Sequence, residues 1–248
     1  MELRKLLVVL FLGSTVTVVS QDDRQLLAHD TEELATEDLE DDLAPLNMYE
    51  GLNRELGGDS VRTCNGYACI GWVEDHYPDG SLKHRGYYDD GQLIHYRNHH
   101  PSGSIEREFR VIDNIRSVMR TYYPDGTLRT ESRYRSGTVI AYEDHYRNGQ
   151  LRYEEERHRS EPYFLKMNLY AEDGTPISTL ELEDRKRIIS VQREYHPNGL
   201  VRVEGKVRYD PARMDSQRIG DWTYRDADGR PLHKEQYIDG RVHEVTDL

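Results

Sequence analysis

Three histidines lie four residues before a glycine in segments that otherwise look alike, and tyrosines fill the same place in three more segments. The series is His76, His99, Tyr122, His145, Tyr170 and Tyr195. Imidazole nitrogens bind zinc at about 2.0–2.1 Å, so a metal-dependent enzyme is one hypothesis for this series. The exchange of histidine for tyrosine instead favours a position that accepts any aromatic ring. We therefore predict that the six residues form a binding surface, with no metal site and no catalytic residue.

Acid–base chemistry is a second candidate, because neighbouring carboxylates such as Asp89-Asp90 and Glu154-Glu155-Glu156 are frequent. General acid–base catalysis needs two such groups in a dry pocket with separated pKa values. A charge-rich, solvated surface offers no evident pocket of that kind. The sequence also contains no Gly-x-Ser-x-Gly, Walker or His-Glu-x-x-His motif. We expect a protein that is not an enzyme and needs no cofactor.

The elements that position the aromatic series are repeats of one phrase, clearest at residues 122–131 as YYPDGTLRTE. The glycine of this phrase recurs as Gly80, Gly103, Gly126, Gly149, Gly174, Gly199 and Gly229. The successive intervals are 23, 23, 23, 25, 25 and 30 residues. A period in the twenties indicates a stacked array of one small unit.

Each unit is predicted to be two β-strands joined by a tight turn. In Tyr77-Pro78-Asp79-Gly80 the proline presets the first turn position, aspartate suits the second, and glycine adopts the left-handed conformation that follows. Weaker turn signals follow eleven residues later in most units, at Gly91, Asn114, Gly137, Ser160 and Gly240. The predicted fold is all-β: an elongated antiparallel meander of about seven two-stranded hairpins in a single twisted sheet, covering residues 57–248.

Strand faces are clearest in Val201–Tyr209, where apolar or small residues alternate strictly with charged ones. Such alternation is typical of a half-buried strand. Arginine and glutamate on the charged parity are expected to pair across strands, at about 0.2–1 kcal/mol per pair. The last interval is longer because residues 210–218 are inserted, and this polar stretch is predicted to project as a loop, either for binding or as plain length variation.

The first 20 residues carry Arg4 and Lys5 before an apolar run from Leu6 to Val19. This pattern predicts a secretory signal peptide cut near Ser20-Gln21. The alternative, a membrane anchor, is disfavoured because a span needs about 20 apolar residues. The mature protein is therefore expected to be periplasmic or secreted.

Residues 21–56 contain 12 acidic and 2 basic residues, a charge density that predicts a disordered acidic arm. Interspersed leucines leave open an amphipathic segment that folds on a basic partner or on the array. The whole chain carries a net charge of −13. This charge argues against nucleic-acid binding and against attraction to an anionic membrane surface.

Cys64 and Cys69 are the only cysteines. In an exported chain, a close pair that spans an Asn-Gly turn predicts a disulfide across a hairpin. A metal site is the competing hypothesis, although two thiolates supply half of a tetrahedral shell.

The repeated form Tyr-Pro-Asp-Gly-x-Leu-Arg-x-Glu, together with Gly220-Asp221-Trp222-Thr223-Tyr224, resembles the MORN-repeat variant family over roughly Gly71 to Val242. That family includes bacterial proteins labelled YwqK-like antitoxins. The resemblance implies a meander of antiparallel hairpins that is usually not catalytic.

The functional expectation is an exported scaffold that binds an unknown protein partner, or another envelope component, along its aromatic face or through its acidic arm. The first alternative is an envelope immunity or antitoxin-like protein that neutralises one toxin enzyme. The second is the metal-dependent enzyme, which predicts metal in the purified protein.

Overall fold

The structure is a computed structural model, and it describes residues 61–248. The signal peptide expected at residues 1–20 and the acidic arm expected at residues 21–56 lie outside the described residues. Residues 61–248 form β-strands and turns, with no helix that could span a membrane. The strands are β1 (Thr63–Cys64), β2 (Tyr67–Ala68), β3 (Gly71–His76), β4 (Leu82–Asp89), β5 (Gln92–His99), β6 (Ile105–Asp113), β7 (Arg116–Tyr122), β8 (Leu128–Arg135), β9 (Thr138–His145), β10 (Leu151–Arg157), β11 (Phe164–Tyr170), β12 (Pro176–Asp184), β13 (Ile189–Tyr195), β14 (Val201–Asp210), β15 (Asp215–Arg225), β16 (Pro231–Ile238) and β17 (Arg241–Asp247).

Strands β3 to β17 make one 15-stranded antiparallel sheet in which each strand pairs with the next along the chain. Strands β3 and β17 are its two edges, and β1 and β2 form a separate hairpin. The all-β meander of hairpin repeats that the sequence predicts is thus confirmed.

The turn at Gly126 shows how the repeated phrase closes a hairpin. The Tyr123 N–H donates to the Thr127 carbonyl at 2.9 Å, and the Gly126 N–H donates back to the Tyr123 carbonyl at 2.8 Å. Asp125 Oδ1 accepts from the Thr127 N–H at 2.9 Å. The φ of Gly126 is +88°, which a residue with a Cβ adopts only with strain. The structure places all seven repeat glycines in such turns, with φ between 81° and 88°.

The sheet has one well-packed face and one open face. Residues directly opposite each other in neighbouring strands share a face, so the pairs Tyr96–Phe109 and Ser190–Val207 belong to the same side. We call this side the packed face. It carries two buried clusters, one around Tyr96 and Phe109 and one around Val203, Val207 and Trp222. The opposite side, which carries Trp72, Arg97 and Glu131, is the open face.

The β1–β2 hairpin is closed by a disulfide between Cys64 and Cys69, as the sequence predicts. Cys69 is completely buried and packs in the cluster that contains Tyr88, Leu93 and Tyr96. The stapled hairpin therefore covers the packed face at the β3 end of the sheet, where it excludes water from the first aromatic cluster.

The inserted residues 210–218 differ from the loop that the sequence predicts. β14 continues to Asp210, β15 resumes at Asp215, and Tyr209 pairs with Ser216 across the two strands. Only residues 211–214 form the turn. Most of the insertion lengthens a hairpin, because the polar residues of an exposed ladder satisfy their backbone hydrogen bonds through pairing.

Candidate binding surface

The six aromatic residues predicted as a binding series each end the first strand of a hairpin. His76, His99 and Tyr122 end β3, β5 and β7, and His145, Tyr170 and Tyr195 end β9, β11 and β13. Each is paired with the first residue of the following strand, next to a register shift. The residues that precede the six belong to one row across the sheet, and this row includes Asn98 and Asp144, which are buried on the packed face. Because consecutive strand residues face opposite sides, all six lie on the open face.

The series is a line and not a cluster. Equivalent residues are two strands apart, which places them about 9.5 Å from one another at ordinary strand spacing. Among residues 61–248, no group of three or more His, Cys, Asp or Glu side chains is arranged to hold a metal ion. The arrangement can contact an extended partner at several points, but it does not bring two reactive groups onto one small molecule.

The tyrosines of the series are tied to polar groups of the open face. The Tyr122 hydroxyl donates to Glu108 at 3.4 Å, and the Tyr170 hydroxyl donates to Glu154 at 3.1 Å. Burial, and then the nearby carboxylate, raise the pKa of both phenols. Their neutral form is therefore stabilised, which suits a hydrogen-bonded contact residue and not a phenolate nucleophile or base.

The histidines of the series differ from the tyrosines in their hydrogen bonding. His99 and His145 are half-buried, and within the described part of the chain the Nδ1 atom of each is buried without a hydrogen-bond partner. Burial, and then the charge of Arg97, lower the pKa of His99, which favours the neutral form of its ring. His76, in β3, is exposed.

A row of charged side chains crosses the open face from strand to strand. Each residue of the row lies directly opposite the next one in the neighbouring strand. In order from β3 to β10 the residues are Glu74, Arg85, Arg97, Glu108, Arg120, Glu131, Glu143 and Glu154. We call these eight residues the charged row. Arg97 bonds Glu108 at 2.9 Å and Arg120 bonds Glu131 at 2.7 Å. The expected cross-strand pairing of arginine with glutamate is thus present.

Three adjacent glutamates of the charged row, Glu131, Glu143 and Glu154, would repel one another without counter-ions. Arg133 contacts Glu131 and Glu143, each at 2.9 Å, and Lys166 pairs with Glu154. Partial burial alone would raise the pKa of Glu131, but hydrogen bonds from Arg120 and Arg133 outweigh it and lower the pKa. Ion pairs this exposed contribute about 0–1 kcal/mol each, so the row mainly specifies register and surface charge.

Sequence reasoning missed an exposed aromatic patch at the β3 end of the open face, formed by Trp72, Tyr87 and His95. The three residues are directly opposite one another in β3, β4 and β5. The Trp72 ring lies 5.6 Å from Tyr87 and 6.2 Å from His95, edge to face, and is 54% exposed. The Arg85 guanidinium lies 4.9 Å from the Trp72 ring. The only sequence signal was parity, since Trp72 alternates with Val73 and shares the side of Glu74 and His76.

Comparison with protein families identifies one repeat directly. Residues 118–136, which include most of β7, the turn at Gly126 and β8, match the family model described as "MORN repeat variant". This segment is a MORN repeat variant. The match confirms, for this segment, the resemblance that the repeated phrase carries.

Comparison with other collections of proteins adds little to the MORN assignment. No curated protein matches the chain significantly. One solved structure similar to it is described as "Crystal Structure of TcdB2-TccC3", with 10% identity and a TM-score of 0.18. That match covers 75% of this chain but 17% of the other chain, so this protein spans less than a fifth of its length. A similarity at this TM-score supports no inference about function.

Proposed function

We propose that this protein is an exported, non-catalytic repeat scaffold that binds another protein through the open face of its sheet. The observation that carries the proposal is the exposure of that face. The β1–β2 hairpin packs against the opposite side, and no other described element covers the charged row. A MORN repeat, as a general motif of protein or membrane interaction, is consistent with this role.

The chemistry of the open face suits a protein partner. Tryptophan, tyrosine and arginine dominate the energetics of protein interfaces, and here Trp72, Tyr122 and Arg97 belong to one continuous surface. The mixed positive and negative charges of the row would contribute specificity and association rate more than affinity. The net charge of −13 opposes attraction to an anionic membrane. We therefore propose a protein, and not a membrane surface, as the partner.

Export is supported by the disulfide, because such bonds persist in oxidising compartments. The Cys64–Cys69 bond covers the first core cluster, so a reduced protein would be less stable at that end. Export through a signal peptide at residues 1–20 is tested by N-terminal sequencing of the mature protein. A mature terminus at Gln21 is expected, and a terminus at Met1 on cytoplasmic protein would contradict export.

The binding role is tested by cross-linking the mature protein in an envelope extract of its source cells, followed by mass spectrometric mapping of the cross-linked sites. Cross-links are expected on the open face. Arg110→Glu reverses one exposed charge opposite His95 on that face and is expected to weaken capture about tenfold, in line with loss of an interface arginine. Lys186→Glu is the matched control, because Lys186 is exposed in the β12–β13 turn.

Equal capture by both variants, or cross-links confined to residues outside the open face, would contradict the proposal. The immunity alternative gives a different result in the same experiment. It predicts a single toxin enzyme as the captured protein and protection of cells from that enzyme, whereas a scaffold captures proteins that are not toxins.

A further inference from the structure

The outer edge of β3 is an unpaired strand edge beside the aromatic patch. Among residues 61–248, β3 pairs only with β4, and no described strand lies along its other side. The chain that precedes β3 turns sharply at Gly71, whose φ is +93°. Because Cys69 is buried in the cluster of the packed face, the stapled hairpin leaves the open face of β3 clear.

The two edges of the sheet are protected differently. β17 carries Arg241, His243, Glu244 and Asp247, and every one of its residues is exposed. Charges of this density are a common device against strand pairing. β3 has the sequence GWVEDH, with no lysine, arginine or proline. Its Asp75 is held by Arg62 at 2.6 and 2.7 Å, which leaves Glu74 as the one exposed carboxylate of this strand.

The side chains of β3 define what could pair with it. On the open face, Trp72 and Glu74 are two residues apart and both exposed. In a strand added to this edge, the directly opposite side chains would have Cβ atoms about 4.5–5.5 Å from those of β3. The residue opposite Trp72 would gain most if it were apolar. Within the described residues, Glu74 pairs with Arg85 at 3.4 Å, and both side chains are exposed. The residue opposite Glu74 would therefore gain most if it were basic.

We propose that β3 accepts an extended strand of a partner protein, with an apolar side chain packed on Trp72 and a lysine or arginine two residues away paired with Glu74. Backbone hydrogen bonds along β3 give this mode its affinity and the alternate side chains give its specificity. The net charge of −13 favours such a basic strand at long range. The inference rests on the proposed function, since it names the partner segment for the same surface.

The probe for this mode is a blocked heptapeptide, Thr-Thr-Val-Thr-Lys-Thr-Thr, whose valine and lysine are two residues apart and therefore share one face of a strand. It is added to the full mature chain with its disulfide intact. Binding is followed by tryptophan fluorescence and by amide hydrogen exchange. The expected result is saturable binding with slower exchange of the β3 amides. A peptide of the same sequence with alternate backbone nitrogens methylated is expected to bind at least about tenfold more weakly, because it cannot complete the ladder.

Two protein variants test the side-chain part. Trp72→Ala is expected to weaken the peptide about tenfold, the usual scale for a buried interface tryptophan. Glu74→Lys is expected to weaken the valine–lysine peptide and to strengthen a valine–glutamate peptide. Glu244→Lys, in the opposite edge strand β17, is the matched control and is expected to change neither. Circular dichroism of each variant checks that the sheet has formed.

Equal binding by the methylated peptide, insensitivity to Trp72→Ala and Glu74→Lys, or slower exchange in β17 instead of β3 would overturn the inference. So would sedimentation that shows a dimer whose β3 amides exchange slowly without peptide, because a second copy of the chain would then occupy this edge. If these tests fail while a partner still cross-links to the open face, only the β3 inference is lost. If no partner cross-links to the open face, the proposed function fails.

Discussion

The Tyr77 hydroxyl donates a hydrogen bond to the backbone carbonyl of His99, 2.7 Å away in the next hairpin. The same contact joins Tyr123 to His145 at 2.8 Å and Tyr146 to Tyr170 at 2.9 Å. Each donor is the residue directly after a member of the aromatic series, and each acceptor is the member in the following hairpin. Consecutive hairpins are thus tied along their turns as well as by strand pairing.

Removal of the hydrogen bond from Tyr77 to the His99 carbonyl should destabilise the sheet locally. Tyr77→Phe keeps the ring near Lys83 but deletes the donor, and we expect a loss of about 0.5–1.5 kcal/mol, the usual net value of one hydrogen bond. Amide hydrogen exchange of β3 to β5 in increasing urea measures it. Tyr87→Phe, in an exposed ring of the aromatic patch, is the control and should change stability by less than about 0.5 kcal/mol. A loss of equal size in both variants would show that the contact to His99 is not the cause.

The hairpins could be predicted from sequence because Pro-Asp-Gly chemistry acts within four residues. The sequence also placed His99 and Tyr122 in one series, because equivalent positions in repeats take equivalent places in the sheet. It could not show which rings are exposed. Trp72 is exposed because β3 is an edge and the stapled hairpin crosses the other face, and both facts depend on contacts across the whole unit.

Long-range pairing also explains what was missed around the insertion. A polar run such as residues 210–218 is typical of a loop by composition alone. Its strand character comes from the register, in which Arg208 lies opposite Gln217 and Tyr209 opposite Ser216. Composition does not reveal such pairs, because either polar residue would be equally at home in an exposed turn.

The Cys64–Cys69 disulfide should stabilise one end of the array. Replacement of both cysteines by alanine opens a loop of six residues, for which chain entropy predicts a loss of about 2 kcal/mol. Because the bond lies against Tyr88 and Tyr96, amides of β4 and β5 should exchange faster while those of β14 should not. Exchange that accelerates equally in β14 would indicate that the sheet unfolds as one unit, against the nearest-neighbour behaviour expected of repeats.

Gly205 should tolerate no larger residue, for a reason of space. A Cβ at this position would lie 2.1 Å from Cδ2 of Trp222, which is fully buried and donates its indole hydrogen bond to the Lys206 carbonyl at 3.2 Å. We expect Gly205→Ala to cost about 3 kcal/mol, at the upper end for an overpacked core, and to change the near-ultraviolet circular dichroism of the indole.

Gly149→Ala is the matched control for that substitution. Beyond the two adjoining residues, no described atom lies within 4 Å of a Cβ at Gly149, so its cost comes from the φ of +84°. A loss of about 1–2 kcal/mol is expected, with the indole signal unchanged. If the two variants were equally stable with identical spectra, the close approach of Trp222 to the β14 backbone would be wrong.

Asp75 and Asp144 should titrate on opposite sides of the ordinary aspartate pKa of 3.8. The hydrogen bond from Arg62 lowers the pKa of Asp75, against the effect of its partial burial. Burial raises the pKa of Asp144, which is only 5% exposed, and the charge of Arg152 offsets this in part. Carbon-13 NMR of the carboxyl groups, titrated through the acid range, should find Asp75 below 3.8 and Asp144 above it.

The two shifts have opposite consequences for stability. Since folding lowers the pKa of Asp75, its contribution is complete above pH 3.8 and is lost as the pH falls through the folded pKa. Since folding raises the pKa of Asp144, its contribution is complete below pH 3.8 and is lost as the pH rises through the folded pKa. Asp75→Asn should therefore flatten the acid loss of protection in β3 and β4, while Asp89→Asn, at an exposed residue that ends β4, should not. An unchanged acid profile in Asp75→Asn would mean that the Arg62 contact does not hold the stapled hairpin to the sheet.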